Sequence, residues 1–95
     1  MMIDCVEFCK ALADETRQQI LVMLQEQEMH VGDIVDAFTM SQPTISHHLG
    51  ILKRCGLVTS RKEGKQVIYA INHNNVTACC GRLITKFDAQ EECEI

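Results

Sequence analysis

Residues 41–58, SQPTISHHLGILKRCGLV, leave few options for the backbone that carries them. Ser41 is a good N-cap, because its hydroxyl accepts from a first-turn N–H that has no other partner. Pro43 is tolerated in that first turn, where the N–H it lacks would go unpaired anyway. Ile45, Leu49 and Leu52 follow at i, i+4 and i+7, an apolar stripe along one helical face. Gly56 suits the left-handed residue after a helix end. The opposite face shows Gln42, Pro43, Thr44, Ser46, His47, Gly50 and Arg54. A helix exposed only for solubility would more often carry Glu and Lys there. These are small hydrogen-bonding groups, and Gly50 lets another backbone come close.

The rest of the chain reads as a setting for this helix. Helical spacing runs through DCVEFCKALA, where Val6, Phe8, Cys9, Leu12 and Ala13 fall on one side. Asp14 caps a second helix, DETRQQILVMLQEQ, with Ile20, Leu21, Met23 and Leu24 inward. HVGDIVDAF is a short third helix with Val31, Ile34, Val35 and Phe38 apolar, and TMSQ is the turn before residue 41. Beyond it, LVTSR and QVIYAI are β-rich runs joined by KEGK, with Glu63-Gly64 as the expected turn centre. A last helix is expected over 74–89, with Val76, Leu83, Ile84 and Phe87 apolar, and 89–95 as a flexible tail.

A chain of 95 residues makes one domain, 1–95, with a modest core that would gain from pairing with a second copy. The net charge of −4 argues against a polyanionic partner only until it is split along the chain. Residues 1–40 set two cations against eight carboxylates, while 41–73 set five cations against one. Local fields steer a polyanion more than net charge does, so the middle third is the candidate contact surface. No segment approaches membrane-spanning length and the N-terminus lacks a basic leader, so the expected address is cytoplasmic. The six cysteines are then expected as free thiols, metal ligands or redox groups rather than structural disulfides.

Two short helices joined by a tight turn, the second polar outside, make a helix-turn-helix. A basic hairpin directly after it is a wing. The fold class is thus mainly α with a β-hairpin wing, a winged helix-turn-helix. Ser41, Gln42, Pro43, Thr44, Ser46, His47 and His48 are the candidate major-groove face, where donor and acceptor patterns of base edges can be read. Arg61, Lys62 and Lys65 on the wing would hold phosphates without specifying sequence. The alternatives are weaker. His47 and His48 make a poor metal pair, since neighbours on a helix point about 100° apart, and no third group supports nucleophilic chemistry with Cys55.

From ALADETRQQILVML through VGDIVDAFTMSQPTISHHLGILKRCGLV to RKEGKQVIYAIN, the chain resembles the ArsR/SmtB family of winged-helix repressors. The resemblance covers about residues 8–76. It implies a homodimer with the first and last helices at the interface, a palindromic double-stranded DNA operator, and repression relieved by a metal or metalloid. It implies neither an enzyme nor an organic cofactor. His47 and His48 match recognition-helix positions of the family.

The family's two familiar ligand sites are not carried over. Its arsenic motif on the third helix has two cysteines where this chain has His30 and Gly32. Its zinc site on the last helix falls on His73, Asn75, Lys86 and Ala89. What remains is thiol chemistry, and some relatives use a vicinal cysteine pair with a later cysteine in the last helix. Cys79, Cys80 and Cys93 are therefore the expected metal set, suited to trivalent arsenic or antimony, with the softer divalent ions cadmium, lead and mercury as alternatives. Thirteen residues separate Cys80 from Cys93, about 19 Å of helix, so such a site needs a folded-back tail or a second chain. Metal there would shift the angle between the two wings. The rival set is Cys5, Cys9 and Cys55, of which Cys5 and Cys9 lie i, i+4 on one face. Cys9 and Cys55 also read simply as small buried hydrophobes. The same thiols would also serve a sensor of oxidant or persulfide with no metal. A DNA-binding module with no inducer, or one acting through a partner protein, stays open as well.

Overall fold

The computed structural model describes residues 4–79. In order these form α1 (Cys5–Ala11), α2 (Glu15–Glu26), β1 (Met29–His30), α3 (Val31–Asp36), α4 (Gln42–Arg54), β2 (Val58–Glu63) and β3 (Gln66–Ile71). A last helix, α5, is described over 73–79. Its expected continuation to 89, the tail 89–95, and both Cys80 and Cys93 lie outside the described residues.

Each helix starts where a short polar side chain can take a stray backbone N–H. Asp4 accepts from Val6 and Glu7 at the head of α1, and Asp14 accepts from Arg17 at the head of α2. Ser41 Oγ accepts from Thr44 N–H at 3.4 Å, and Pro43 sits in the first turn of α4. Asn72 Oδ1 accepts from Asn75 N–H at 3.2 Å and so opens α5. The end of α4 is a Schellman turn. Gly56 takes φ 80, its N–H donates to Lys53 O at 3.0 Å, and the Leu57 N–H reaches back to Leu52 O at 2.9 Å.

The core is drawn from every layer. Phe8 and Ala11 of α1, Ile20 and Leu24 of α2, and Ile34 of α3 meet Ile45, Leu49 and Leu52 of α4. Leu57, Val58 and Cys79 complete the cluster. The stripe expected on α4 is fully buried, each of its three residues at 0% exposure, and truncating Leu49 to alanine would cost about 2–5 kcal/mol. This stripe fixes the rotation of α4, and with it the face turned outward.

The sheet departs from the expected two-stranded hairpin. Met29 and His30 pair antiparallel with Tyr69 and Ile68, giving a three-stranded sheet in the order β1-β3-β2. His30 therefore ends a strand rather than opening a helix, and α3 begins one residue later. The hairpin turn is also displaced by one residue. Glu63 pairs with Gln66, which puts Gly64 and Lys65 at the tip. Gly64 has φ 61 and Lys65 does not have positive φ, the pattern of a type II′ turn with glycine at its first central position.

Candidate nucleic-acid interface and thiols

Burial of Ile45, Leu49 and Leu52 leaves Ser41, Gln42, Pro43, Thr44, Ser46 and His47 exposed on α4. Two of these are partly occupied. Ser41 caps the helix and its Oγ lies 3.1 Å from Thr44 Oγ1. Gln42, Ser46 and His47 are the polar members of this face with no side-chain hydrogen-bond partner among the described residues. Gly50 is on the same side, and a Cβ placed on it would meet nothing within 4 Å.

His48 does not join this face. It is half-buried, and its Nδ1 lies 3.2 Å from Arg17 Nη1. A guanidinium has only donors, so Nδ1 is the acceptor in this contact. The reason is helical geometry: if His47 points outward, its neighbour is turned by about 100° toward α2. The same Arg17 donates through Nε to Ala11 O at 2.7 Å, and its backbone N–H donates to Asp14 at 3.0 Å. Arg17 thereby holds the end of α1, the head of α2 and the recognition helix in one register. That backbone hydrogen bond, above all, holds the Asp14 carboxyl below the usual aspartate range.

On the wing the three expected cations divide. Arg61 forms a two-pronged pair with Glu28, both bonds 2.8 Å, and its Nε donates to Glu63 at 2.9 Å. Its charge is answered by two carboxylates, so in this structure it ties the wing to the segment ahead of β1. The hydrogen bond from Arg61 lowers the Glu28 carboxyl below its ordinary value, and those from Glu28 and Glu63 raise Arg61 above its own. Lys62 and Lys65 are exposed, and neither is ion-paired among the described residues. Nothing in the sequence pattern pointed to Glu28 as the partner, since it lies 33 residues before Arg61.

The thiols also divide differently from either expected set. Cys5 and Cys79 are joined sulfur to sulfur, with Cα atoms 5.6 Å apart and a sequence separation of 74. The pair takes one cysteine from each set, and it is an exception to the expectation that the cysteines are mostly free thiols, metal ligands or redox groups. Cys9 is a free thiol and exposed; Cys55 is free and half-buried, and burial pushes its thiol up. Cys5, Cys9 and Cys55 do not converge, because Cys5 turns to α5 while Cys9 faces outward. Among the described residues no three His, Cys, Asp or Glu side chains come together to hold a metal ion. No described helix is long and apolar enough to cross a membrane.

An apolar groove of about 180 Å³ opens between α1, α2, the base of the sheet and α5, lined by Leu12, Leu21, Val22, Ile71 and Val76 among others. Among the described residues that line it, His73 is the one titratable group.

Comparison with known proteins agrees with this arrangement. The transcriptional repressor SdpR of Bacillus subtilis is 41% identical over 63 residues, 66% of this chain and 70% of that protein. The arsenical resistance operon repressor of Escherichia coli K12 is 44% identical over 68 residues, 70% of this chain and 58% of its own length. The solved structure of HlyU from Vibrio cholerae superposes with a TM-score of 0.72 at 39% identity, covering 86% of this chain and 89% of that one. The model of the bacterial regulatory proteins of the arsR family matches residues 14–60, from the cap of α2 through the recognition helix into the wing. The chain belongs to the arsR family, transcription regulators rather than enzymes.

Proposed function

We propose that the chain is a cytoplasmic repressor that binds a palindromic duplex operator as a homodimer and lets go when its cysteine thiolates are occupied. The observation that carries this reading is the outward face of α4. Gln42, Ser46 and His47 stand exposed beside Gly50, over a fully buried apolar stripe, with Lys62 and Lys65 on the adjacent wing. Short polar groups on a helix held at a fixed rotation suit the major groove, and two lysines on a hairpin suit phosphates.

For the inducer, trivalent arsenic or antimony at Cys79, Cys80 and Cys93 is the leading reading. Soft ions prefer sulfur, and a repressor of arsenical resistance is 44% identical over 68 residues. This requires Cys79 in its thiol form, released from Cys5. Cadmium, lead and mercury are the alternatives of the same chemistry. A sensor of oxidant or persulfide is the second reading, favoured by the contact of Cys5 with Cys79.

The test is a titration of fully reduced protein against duplexes selected from a random library, across a salt series, repeated with arsenite, antimonite, cadmium, lead, mercury and peroxide. The reading expects symmetric half-sites, steep salt dependence and release by at least one thiol reagent. A reduced chain that binds no duplex at any salt concentration overturns it.

A further inference from the structure

We infer that the outward face of α4 selects A·T base pairs in each half-site: the Gln42 amide reads an adenine, and Pro43 and Thr44 pack on the C5-methyl groups of neighbouring thymines. The inference rests on the repressor reading for its duplex, and it deepens that reading to the bases the helix accepts.

What a helix reads is set by the groups its own fold leaves over. A recognition helix meets base edges with its N-terminal residues, which in α4 are Gln42, Pro43, Thr44, Ser46 and His47, all exposed. The Thr44 hydroxyl lies 3.1 Å from Ser41 Oγ, and the Thr44 N–H donates to the same oxygen at 3.4 Å. With its hydroxyl and its N–H both turned to the cap, Thr44 has its methyl group left for a ligand. Pro43 beside it lacks an N–H and offers ring carbon. The first turn thus presents carbon at two consecutive positions of an otherwise polar face. In the major groove the matching apolar group is the thymine methyl.

Gln42 stands immediately before this carbon pair, at the first position of the helix, and its amide has no hydrogen-bond partner among the described residues. A planar amide carries one acceptor and one donor group side by side. Adenine carries the complement, so Gln42 Oε1 accepts from N6–H while Nε2 donates to N7. Guanine presents two acceptors at the same edge, N7 and O6, and would leave Gln42 Oε1 facing an oxygen.

The side chains that read G·C pairs are elsewhere. Guanine is most often taken by a forked arginine or a lysine. Arg17 is engaged by Ala11 O and His48, and Arg61 by Glu28 and Glu63. The cations of α4 itself are Lys53 and Arg54 in its last turn, about 16–18 Å along the axis from Gln42. No carboxylate lies on α4, the group that would accept from cytosine N4–H. His47 lies about 7.5 Å along from Gln42, roughly two base steps at 3.4 Å each. Its ring suits N7 of either purine, and the Ser46 hydroxyl both donates and accepts, so neither separates A·T from G·C. Discrimination falls to residues 42–44.

The test selects half-sites from a random duplex library with the full reduced chain, then alters single groups of the selected sequence. The half-sites should converge on adjacent A·T pairs, and Gln42→Ala should lose its base preference at one adenine. Guanine in place of that adenine should lower wild-type affinity roughly five- to 150-fold, the range of one bidentate pair. 7-Deazaadenine, which lacks the N7 acceptor, should lose part of that affinity, and Gln42→Ala should respond to neither change. Gln42→Glu, whose carboxylate only accepts, should move the preference at the same position from adenine to cytosine. Uracil in place of a contacted thymine should weaken the wild type about fourfold per methyl. The loss should be smaller in Thr44→Ser, which keeps the hydroxyl beside Ser41 and drops the methyl. All four readouts are rankings of duplexes by one folded protein, so a general fall in affinity does not imitate them. Half-sites built of G·C pairs, a Gln42→Ala chain with the wild-type ranking, or a wild type indifferent to uracil overturns the base assignment while duplex binding stands. A reduced chain that binds no duplex overturns the repressor reading and this inference with it.

Discussion

Arg61 on β2 and Glu28 ahead of β1 clasp each other from opposite edges of the sheet, across the middle strand, through two bonds of 2.8 Å. Beneath the clasp lies Ile68, opposite Arg61 on one side and His30 on the other, and only 6% exposed although it is outside the main core. The pair thus ties the wing's outer strand to the segment ahead of the sheet's other edge strand.

Replacing Arg61 should accordingly act through what it releases. Arg61→Ala leaves the Glu28 and Glu63 carboxylates unanswered near the two wing lysines, and duplex binding should weaken. Adding Glu28→Gln should restore part of the loss, read by fluorescence anisotropy. Lys62→Ala or Lys65→Ala should instead weaken binding to all sequences alike and reduce the log–log salt slope by about one. An Arg61→Ala protein that shows the same slope change, with no rescue by Glu28→Gln, would make Arg61 a phosphate ligand after all. Glu28 is lowered by Arg61, so the clasp is fully present above the ordinary glutamate value and fails only as pH falls through the lowered one.

Asp14 offers a cleaner stability measurement. Asp14→Ala removes the acceptor for the Arg17 N–H, 3.0 Å away, and should cost about 1 kcal/mol in urea unfolding at neutral pH. The carboxyl is held low in the folded state, first by that N–H. Its contribution is therefore complete above the ordinary aspartate value and disappears as pH drops through the depressed one. The gap between wild type and Asp14→Ala should close in acid. Asp14→Asn caps without titrating, and its difference from Asp14→Ala should stay level over the same range.

The neighbouring histidines should separate by assay. His47→Ala ought to change the ranking of duplex sequences in a competition experiment while leaving thermal stability close to wild type. His48→Ala removes the acceptor of Arg17 Nη1 at 3.2 Å and should lower stability with little change in the ranking. Reversal of these two outcomes would mean that His48, not His47, reads bases.

Local chemistry was legible from residue order, and remote pairing was not. Ser41, Pro43, Ile45, Leu49, Leu52 and Gly56 each do in the structure what their spacing implies, because caps, stripes and left-handed stops are settled within a turn or two. β1 escaped notice since two residues carry no period and become a strand only by meeting Tyr69 and Ile68. The expected turn centre slipped by one because Glu63-Gly64 and Gly64-Lys65 are equally plausible until strand register decides. Glu28 with Arg61, Arg17 with His48, and Cys5 with Cys79 join residues 33, 31 and 74 apart. Periodicity constrains only neighbours on one element, so it gave no sign that Cys5 of one expected set would meet Cys79 of the other through the packing of α1 on α5.

Gly50 gives a prediction in which stability and function move in opposite directions. It sits inside α4, where glycine is less favourable than alanine by roughly 0.5–1 kcal/mol. A Cβ there would touch nothing within 4 Å, so no neighbour in the protein asks for its absence. Gly50→Ala should therefore stabilise the fold by about that amount in chemical unfolding. If the face bearing Ser46 and His47 lies against a duplex, the added methyl group meets DNA instead, and affinity should drop while stability rises. Gly50→Ser, slightly larger, should weaken binding further. A Gly50→Ala protein both more stable and equally avid for duplex would show that this side of the helix keeps its distance from DNA, and that the reading surface has been assigned to the wrong residues.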